Sequence, residues 1–318
     1  MTVFPKPERI DAFDGELSRR VDPQEWARIS AMRDHPRFLH GVLQYAQVIP
    51  AYFAGKLVLN KVVTEVWRFH TLAFALHLHD IRDPGDPRTG LTITRLQRIC
   101  QEQKIASAGR VIALVGLMQL GGYLKRVPSV ADSRIILLVP TEKLVATVRG
   151  WGQAMMSAID SIEPGAGFEQ RHLADPGFDT RLRRAGMDIM LAGWRLVDPW
   201  HEVMHFVARD AAWMLLLRLI DPVIRAGIGG EPVIVSLDLA EFGKKFGVSR
   251  SHMRRVLDTA FEQGLLAAPP RNGSHIVMSH RLICSYLVTL ASELDIFRFS
   301  ARAASRAPLP RPGAALQS

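Results

Sequence analysis

The sequence has few of the features that mark secreted, membrane or disulfide-stabilised proteins. Only two of its 318 residues are cysteine, which excludes a disulfide framework and a cysteine-based metal site. We expect Cys100 and Cys284, each among apolar neighbours, to be reduced and buried. The N-terminus lacks an apolar run behind a basic start, so we expect no secretory signal and a cytoplasmic location. The most apolar segment, residues 212–220, contains an arginine and falls short of the roughly twenty apolar residues of a membrane span.

The sequence also lacks a glycine loop for phosphates and a nucleophile elbow around serine, so we expect a protein without catalytic activity or a cofactor. Its composition, 48% hydrophobic and 22% charged, is that of a globular chain, and its length suggests two domains. Forty lysines and arginines against thirty-one acidic residues give a net charge of +9. Such a charge favours a polyanionic partner.

A repeat within the chain is the strongest organising signal. Residues 239–266 align with residues 96–124: Leu96 matches Leu239, Ser107 matches Ser249, and Gly122 matches Gly264. Each segment is followed by a polar loop, a β-rich segment and an amphipathic helix. An internal duplication of this kind indicates that the two halves of the chain share one fold.

The predicted fold is therefore mainly α with small β wings. Each half is expected to contain two helices, a short strand, a helix-turn-helix, a two-stranded wing and a final helix, which is a winged helix-turn-helix unit with flanking helices. The units are predicted at residues 36–162 and 179–297, joined by a Gly- and Pro-containing linker at 163–178. An N-terminal extension covers residues 1–35, and a basic, Pro- and Ala-rich tail, predicted to be disordered, covers 298–318.

The second unit has the pattern of a DNA-reading helix over residues 249–263. Gly247 is expected to close the preceding helix in the left-handed conformation, and Ser249 to cap the next one. Val248 is the predicted buried residue of the turn. An apolar stripe at three- and four-residue spacing is expected to face inward: Met253, Val256, Leu257, Ala260 and Phe261.

The opposite face of this helix is rich in hydrogen-bond donors. Arginine is the commonest bidentate partner of guanine in the major groove, and the basic pattern predicts binding to double-stranded DNA; a solvated basic face is the alternative. The predicted base-reading residues are Arg250, Ser251, His252, Arg254 and Arg255, the predicted phosphate contacts are Lys244 and Lys245, and the predicted wing-tip contacts are Arg271 and Asn272.

In the first unit the corresponding helix has lost most of these donors. Residues 108–113 retain only Arg110 as a charged side chain. We expect this unit to add affinity and register through phosphates, and the second unit to supply most of the sequence discrimination. Arg254→Ala with Arg255→Ala is expected to abolish specific binding, and Arg110→Ala to weaken it less. The predicted phosphate contacts of the first unit are Lys104, Lys125, Arg126 and Arg134.

A winged helix between helical flanks, in this order, resembles the MarR family of bacterial regulators. The resemblance covers most of the chain as topology, and its residue matches are confined to residues 239–279. It implies a single-chain pseudo-dimer of units that are usually separate protomers, acting as a monomer or as a homodimer. It also implies a small aromatic effector; the candidate lining residues are Trp67, His70, Trp194 and Trp213, although aromatics at helical spacing are more often part of a core.

Other functions fit parts of the sequence. His201, Glu202 and His205 match the H-E-x-x-H pattern of zinc hydrolases, but no strong third ligand follows, so a zinc hydrolase is the weakest alternative. A plasmid-type replication initiator would keep both winged helices and use one for dimerisation. A protein-binding scaffold would show no salt-dependent affinity for DNA.

Overall fold

A computed structural model describes residues 10–83, 85–228, 231–270 and 275–306. Within these ranges the chain is mainly helical, with two small antiparallel sheets. The mainly α prediction with small β elements is confirmed. Both cysteines are buried and reduced, as predicted. No helix in the described ranges has the length and apolarity needed to cross a membrane.

The two halves of the chain have the same order of helices and differ in where their strands lie. The first contains α3 Phe38–Phe53, α4 Leu57–Val63, α5 Val66–Asp80, α6 Ile93–Glu102, α7 Ala108–Leu120, β1 Leu124–Pro128, β2 Ile136–Pro140 and α8 Glu142–Ile162. The second contains α10 Phe178–Leu191, α11 His201–Val207, α12 Ala212–Ala226, β3 Val235–Ser236, α13 Leu239–Phe246, α14 Arg250–Glu262, β4 His275–Ile276 and α15 His280–Arg306. Three helices, rather than the predicted two, precede each helix pair.

In both halves, three short extended segments next to the helix pair are joined by backbone hydrogen bonds. In the first half, β1 pairs with β2 and the Leu138 amide donates to the Leu91 carbonyl at 2.8 Å. In the second half, β3 pairs with β4, and Leu266 bridges to Met278. The predicted strand before the first helix pair is thus reduced to one hydrogen bond at Leu91. In each half, the two extended segments that follow the helix pair are antiparallel to each other.

The contacts between the halves are reciprocal. Within each half, the first helix packs on the last: α3 on α8, and α10 on α15. Between the halves, the first helix of each packs on the third helix of the other, since α3 contacts α12 and α10 contacts α5. The last helices, α8 and α15, contact each other. Corresponding helices of the two halves thus make corresponding contacts with the other half.

One large core cluster contains side chains from both halves, including Tyr45, Met156, Leu215 and Leu290. A smaller cluster lies between α5, α6 and α7 and includes two methionines of α10, Met187 and Met190. Because burial of apolar surface is the main stabilising term in folding, the halves stabilise each other and form one folded body.

Three segments outside the two predicted units contain helices. The predicted linker contains a helix, α9 Phe168–Ala174, which packs on α8. Residues 298–306 of the predicted tail continue α15, with Ser300, Ala301 and Ala304 buried; residues 307–318 lie outside the described ranges. The N-terminal extension forms α1 Asp14–Leu17 and α2 Pro23–Arg33, and α2 packs on α15.

Candidate nucleic-acid interface

The turn between α13 and α14 is built from local signals in the sequence. Gly247 follows the last residue of α13 with a φ of 76°, a left-handed conformation that glycine adopts without strain. Ser249 caps α14 by accepting a hydrogen bond from the His252 amide at 3.0 Å. Both predictions are confirmed. Val248, predicted as the buried residue of the turn, is half-buried.

The inward face of α14 is largely as predicted. Met253, Val256, Leu257 and Ala260 are buried. Phe261 is 38% exposed, so its assignment to the inward stripe was wrong. The buried stripe of α14 ends at Ala260.

The outward face of α14 exposes three of its arginines and Ser251. Arg250 and Arg255 have no acidic partner within 4.0 Å in the described ranges, and Arg254 has only Asp258 at 3.7 Å. At their exposed positions these guanidinium groups keep their hydrogen-bonding capacity for another molecule. Lys244 is exposed, and Lys245 is paired with Glu241 at 2.6 Å.

His252 does not share this outward orientation. Its Nε2 lies 3.3 Å from the carbonyl oxygen of Asp210, in the loop before α12. The side chain is half-buried. This contact fixes the first turn of α14 to the helical body, and the role of His252 in base reading stays a prediction.

Asp210 is the centre of an ion cluster that connects the two halves. Its carboxylate accepts hydrogen bonds from Lys61 at 2.6 Å and Arg68 at 2.8 Å, both from the first half. Burial opposes ionisation, but Lys61 and Arg68 outweigh it and lower the pKa of Asp210. The same residue therefore holds α4, α5 and, through its carbonyl, α14.

Helix α4 of the first half also supports the end of α13. The Gly55 amide donates to the Lys245 carbonyl at 2.9 Å, and the Asn60 side-chain amide donates to the Phe246 carbonyl at 3.2 Å. These bonds satisfy carbonyls that the last turn of a helix leaves without intrahelical partners. Sequence reasoning missed Asn60; its only signal is a polar residue within the apolar helix 57–63.

The H-E-x-x-H residues contribute to structure. His205 is buried with Nε2 3.0 Å from the Val256 carbonyl on α14, and His201 is exposed. Glu202 accepts hydrogen bonds from Arg20 at 2.9 Å and Arg281 at 2.8 Å. Across the ranges that the structure describes, no three His, Cys, Asp or Glu residues are grouped so that they could hold a metal ion.

The ion pairs of Glu202 predict an acid-dependent loss of stability. Burial raises the pKa of Glu202, but the hydrogen bonds from Arg20 and Arg281 prevail and lower it to about 2 from an ordinary 4.5. A lowered carboxylate pKa stabilises the fold above pH 4.5, and this contribution is lost as the pH falls towards 2. Urea unfolding between pH 5 and 2 should show a loss of up to about 3 kcal/mol from this group.

Glu202→Gln should remove that part of the pH dependence and lower stability at pH 7. Glu231→Gln removes a carboxylate on an exposed residue and serves as the matched control. An unchanged pH profile in Glu202→Gln would contradict the assignment.

The first helix pair has the same construction with a different surface. Ser107 caps α7, and Lys104, with a φ of 55°, makes the left-handed turn after α6. The outward face of α7 carries Ile112, 53% exposed, and Leu120, 90% exposed. Arg110 is exposed and lies over the Trp67 ring at 5.5 Å. This face offers one guanidinium among apolar side chains, as the sequence predicts.

The predicted phosphate contacts of the first half lie at the turn and on the hairpin. Lys104, Lys125 and Arg126 are exposed. Arg134 is 89% exposed and paired with Asp132 at 3.0 Å, so its charge is partly compensated. Arg271 and Asn272, predicted at the second wing tip, lie outside the described residues.

The predicted effector residues separate into two groups. His70, Trp194 and Trp213 line one cavity between the halves, with a volume of about 210 Å³. Trp67 lies outside it: its indole donates to Glu65 at 2.6 Å, and its ring contacts Arg68 and Arg110. The prediction that Trp67 lines the same pocket as the other three residues is therefore corrected: Trp67 is not at the wall of this cavity.

Comparisons with protein-family models, with curated proteins and with solved structures found no match to this chain. The assignment of a function therefore depends on the geometry described above.

Proposed function

We propose that the chain is a sequence-specific regulator that binds double-stranded DNA through two winged helix-turn-helix units, and that α14 reads most of the bases. The observation that carries the proposal is the exposed face of α14. It presents Arg250, Arg254 and Arg255 on a capped helix that is fixed to the body of the protein through His252 and His205. A recognition helix enters the major groove with its N-terminal residues, and all three arginines lie in the first six residues of α14.

The reciprocal helix contacts support a pseudo-dimer in one chain. Two-fold protein dimers place equivalent recognition helices in successive major grooves, about one helical turn of DNA apart. The contacts of α3 with α12 and of α10 with α5 would hold the two units in such an arrangement. The resemblance to MarR-type regulators in sequence order agrees with this proposal, and a cytoplasmic, nucleoid-associated location without catalytic activity is proposed together with it.

Genome-wide mapping of bound sites followed by footprinting tests the function. We expect one short, imperfect palindrome near a promoter, with stronger protection of one half-site, because α7 and α14 differ in chemistry. A protein with six to ten phosphate contacts loses about 10³–10⁵ in affinity between about 50 and 200 mM salt, and we expect a loss of this order. Affinity for DNA that is absent, or independent of salt, would leave a protein-binding scaffold and refute the proposal.

The apolar face of α7 favours a second candidate, a plasmid-type replication initiator. Exposed Ile112 and Leu120 would serve a protein contact better than a DNA contact. In that case one unit mediates dimerisation and the other binds repeated sites. Footprints arranged as direct repeats at a replication origin would support the initiator over the regulator.

A further inference from the structure

The cavity between the two halves is enclosed mainly by apolar and aromatic side chains. Its walls come from α3, α4, α5, α8, α10, α12 and α15, and Phe69, Trp151, Trp213 and Phe297 contribute rings. An apolar cavity of roughly 150 Å³ holds a benzene molecule. The volume of about 210 Å³ therefore suits one ring or a short branched chain with a small polar group.

Two of the residues that line this cavity have a buried polar atom without a hydrogen-bond partner in the described part of the chain. Glu293 is 5% exposed; one carboxylate oxygen accepts from the Tyr45 hydroxyl at 2.7 Å, and the other, Oε2, makes no hydrogen bond. The Ser300 hydroxyl, two turns further along α15, is the second such atom. Buried polar atoms are normally hydrogen-bonded, so each exception requires an explanation.

The other charged groups at the wall are already paired. Asp179 lies 2.6 Å from His172, and Arg183 donates to Asp80 at 2.8 Å. Burial lowers the pKa of His70 to about 4, so its imidazole is neutral at pH 7. Glu293 is consequently the acidic group at the wall whose charge no described residue balances.

We propose that this cavity binds a small apolar primary amine, whose ammonium group donates to Glu293 Oε2 while its apolar part packs against the rings of Phe69, Trp151 and Trp213. A buried carboxylate without a partner of opposite charge costs several kcal/mol, and an ammonium group supplies both that charge and the donor that Oε2 lacks. Aromatic faces also attract a cation. An organic anion would meet the carboxylate with like charge. This site goes beyond the DNA-binding function and does not depend on it.

The titration of Glu293 agrees with this assignment. Burial raises its pKa to about 7, although the hydrogen bond from Tyr45 opposes the shift. Near neutral pH the group is therefore divided between its acid and its carboxylate. A bound cation would favour the carboxylate, because it supplies the stabilisation that the apolar wall does not.

Calorimetric titration of the full-length protein, without DNA, tests the site. The probes are 2-phenylethylamine, benzylamine and cyclohexylamine, with phenylacetate as the anion of matched size. We expect saturable binding of at least one amine and a preference over phenylacetate of about tenfold or more, because charge-assisted hydrogen bonds are the stronger class. No saturable heat with any amine, or equal binding of phenylacetate, would overturn the proposal.

Glu293→Gln sharpens the test because it keeps the shape of the side chain. The Gln oxygen can accept from Tyr45, and the amide NH₂ then takes the place of Oε2 and replaces an acceptor by a donor. We expect amine binding to fall about 10- to 100-fold, the range of a lost hydrogen bond to a charged group, and phenylacetate binding to increase. Misfolding cannot produce this inversion; unchanged amine binding in the folded variant would refute the role of Glu293.

Two further variants keep the test decisive if Glu293→Gln is unstable. Ala73→Leu fills the cavity from α5 without altering Glu293 and should reduce binding of every probe. Asp295→Asn removes a carboxylate from the same helix; Asp295 is paired with Arg298 at 2.7 Å and is not at the cavity wall. Binding should stay within about twofold of the parent, as expected for a site outside the contact. Amine binding that survives Ala73→Leu would place the amine elsewhere.

Helix α4 connects this cavity to both helix pairs. Leu59 and Val63 of α4 line the cavity. The Asn60 side chain donates to the end of α13. On its other side α4 contacts α7, and Val58 lies so close to Gly121 that a Cβ added there would be 3.0 Å from it. A ligand that displaces α4 would alter both units at once. This consequence, unlike the site, requires the proposed function: saturating amine should change affinity for the mapped operator in the parent and not in Glu293→Gln. Amine binding without DNA binding would refute the proposed function alone.

Discussion

Arg254→Ala combined with Arg255→Ala should abolish sequence-specific DNA binding and leave the fold intact. Both side chains are exposed on α14, and Arg254 has only the weak contact with Asp258 to lose. Substitutions at exposed positions usually change stability by less than about 0.5 kcal/mol. A bidentate arginine contact to guanine contributes about 1–3 kcal/mol of discrimination. Losing two such contacts would weaken operator binding about 30-fold to 10⁴-fold and bring it close to non-specific affinity.

Two comparisons separate base reading from general charge. Arg171→Ala with Arg184→Ala removes the same charge from α9 and α10, where both residues are exposed and belong to neither helix pair; only a modest loss, equal for operator and random DNA, is expected. Arg110→Ala should weaken operator binding less than the α14 double variant. Equal losses in the α14 and α7 variants, measured by fluorescence anisotropy, would refute the asymmetry between the two units.

The features that the sequence predicts well are local. The cap at Ser249, the turn at Gly247 and the buried stripe of α14 depend on residues within a few positions of each other. The contacts of His252 with Asp210 and of Asn60 with Phe246 join residues that are 42 and 186 positions apart. No local pattern specifies such contacts, so the docking of α13 and α14 on the first half had to come from the structure.

The C-terminal segment shows that composition alone does not distinguish a disordered tail from the end of a helix. Residues 298–306 are rich in alanine, serine and arginine, a composition shared by solvated tails. Their order nevertheless continues the helical period of α15, and Ser300, Ala301 and Ala304 are buried while Arg181 donates to the Ala304 carbonyl at 2.9 Å. Small residues bury little apolar surface but allow close approach of another helix. This role depends on the packing of α10 against α15, which the sequence pattern of residues 298–306 does not indicate.

Gly243→Ala should disrupt the second helix pair although alanine is the better helix former. A Cβ at this position would lie 2.3 Å from the Val248 carbonyl oxygen. The obstacle is backbone, in the turn that the Val248 amide closes by donating to the Gly243 carbonyl at 3.1 Å. Relief therefore requires α13 and the start of α14 to separate. Overpacking of this kind costs about 1–3 kcal/mol, and we expect the upper part of that range together with a loss of operator binding.

Gly116→Ala is the matched control on α7 in the first half. A Cβ there meets nothing within 4 Å, so the change should stabilise the protein by up to about 1 kcal/mol, the difference in helix propensity between the two residues. Urea unfolding of the two variants thus has opposite expected signs for the same chemical change. If Gly243→Ala were neutral, the close crossing of α13 and the turn would be wrong. The geometry that presents Arg250, Arg254 and Arg255 to DNA would then lose its support.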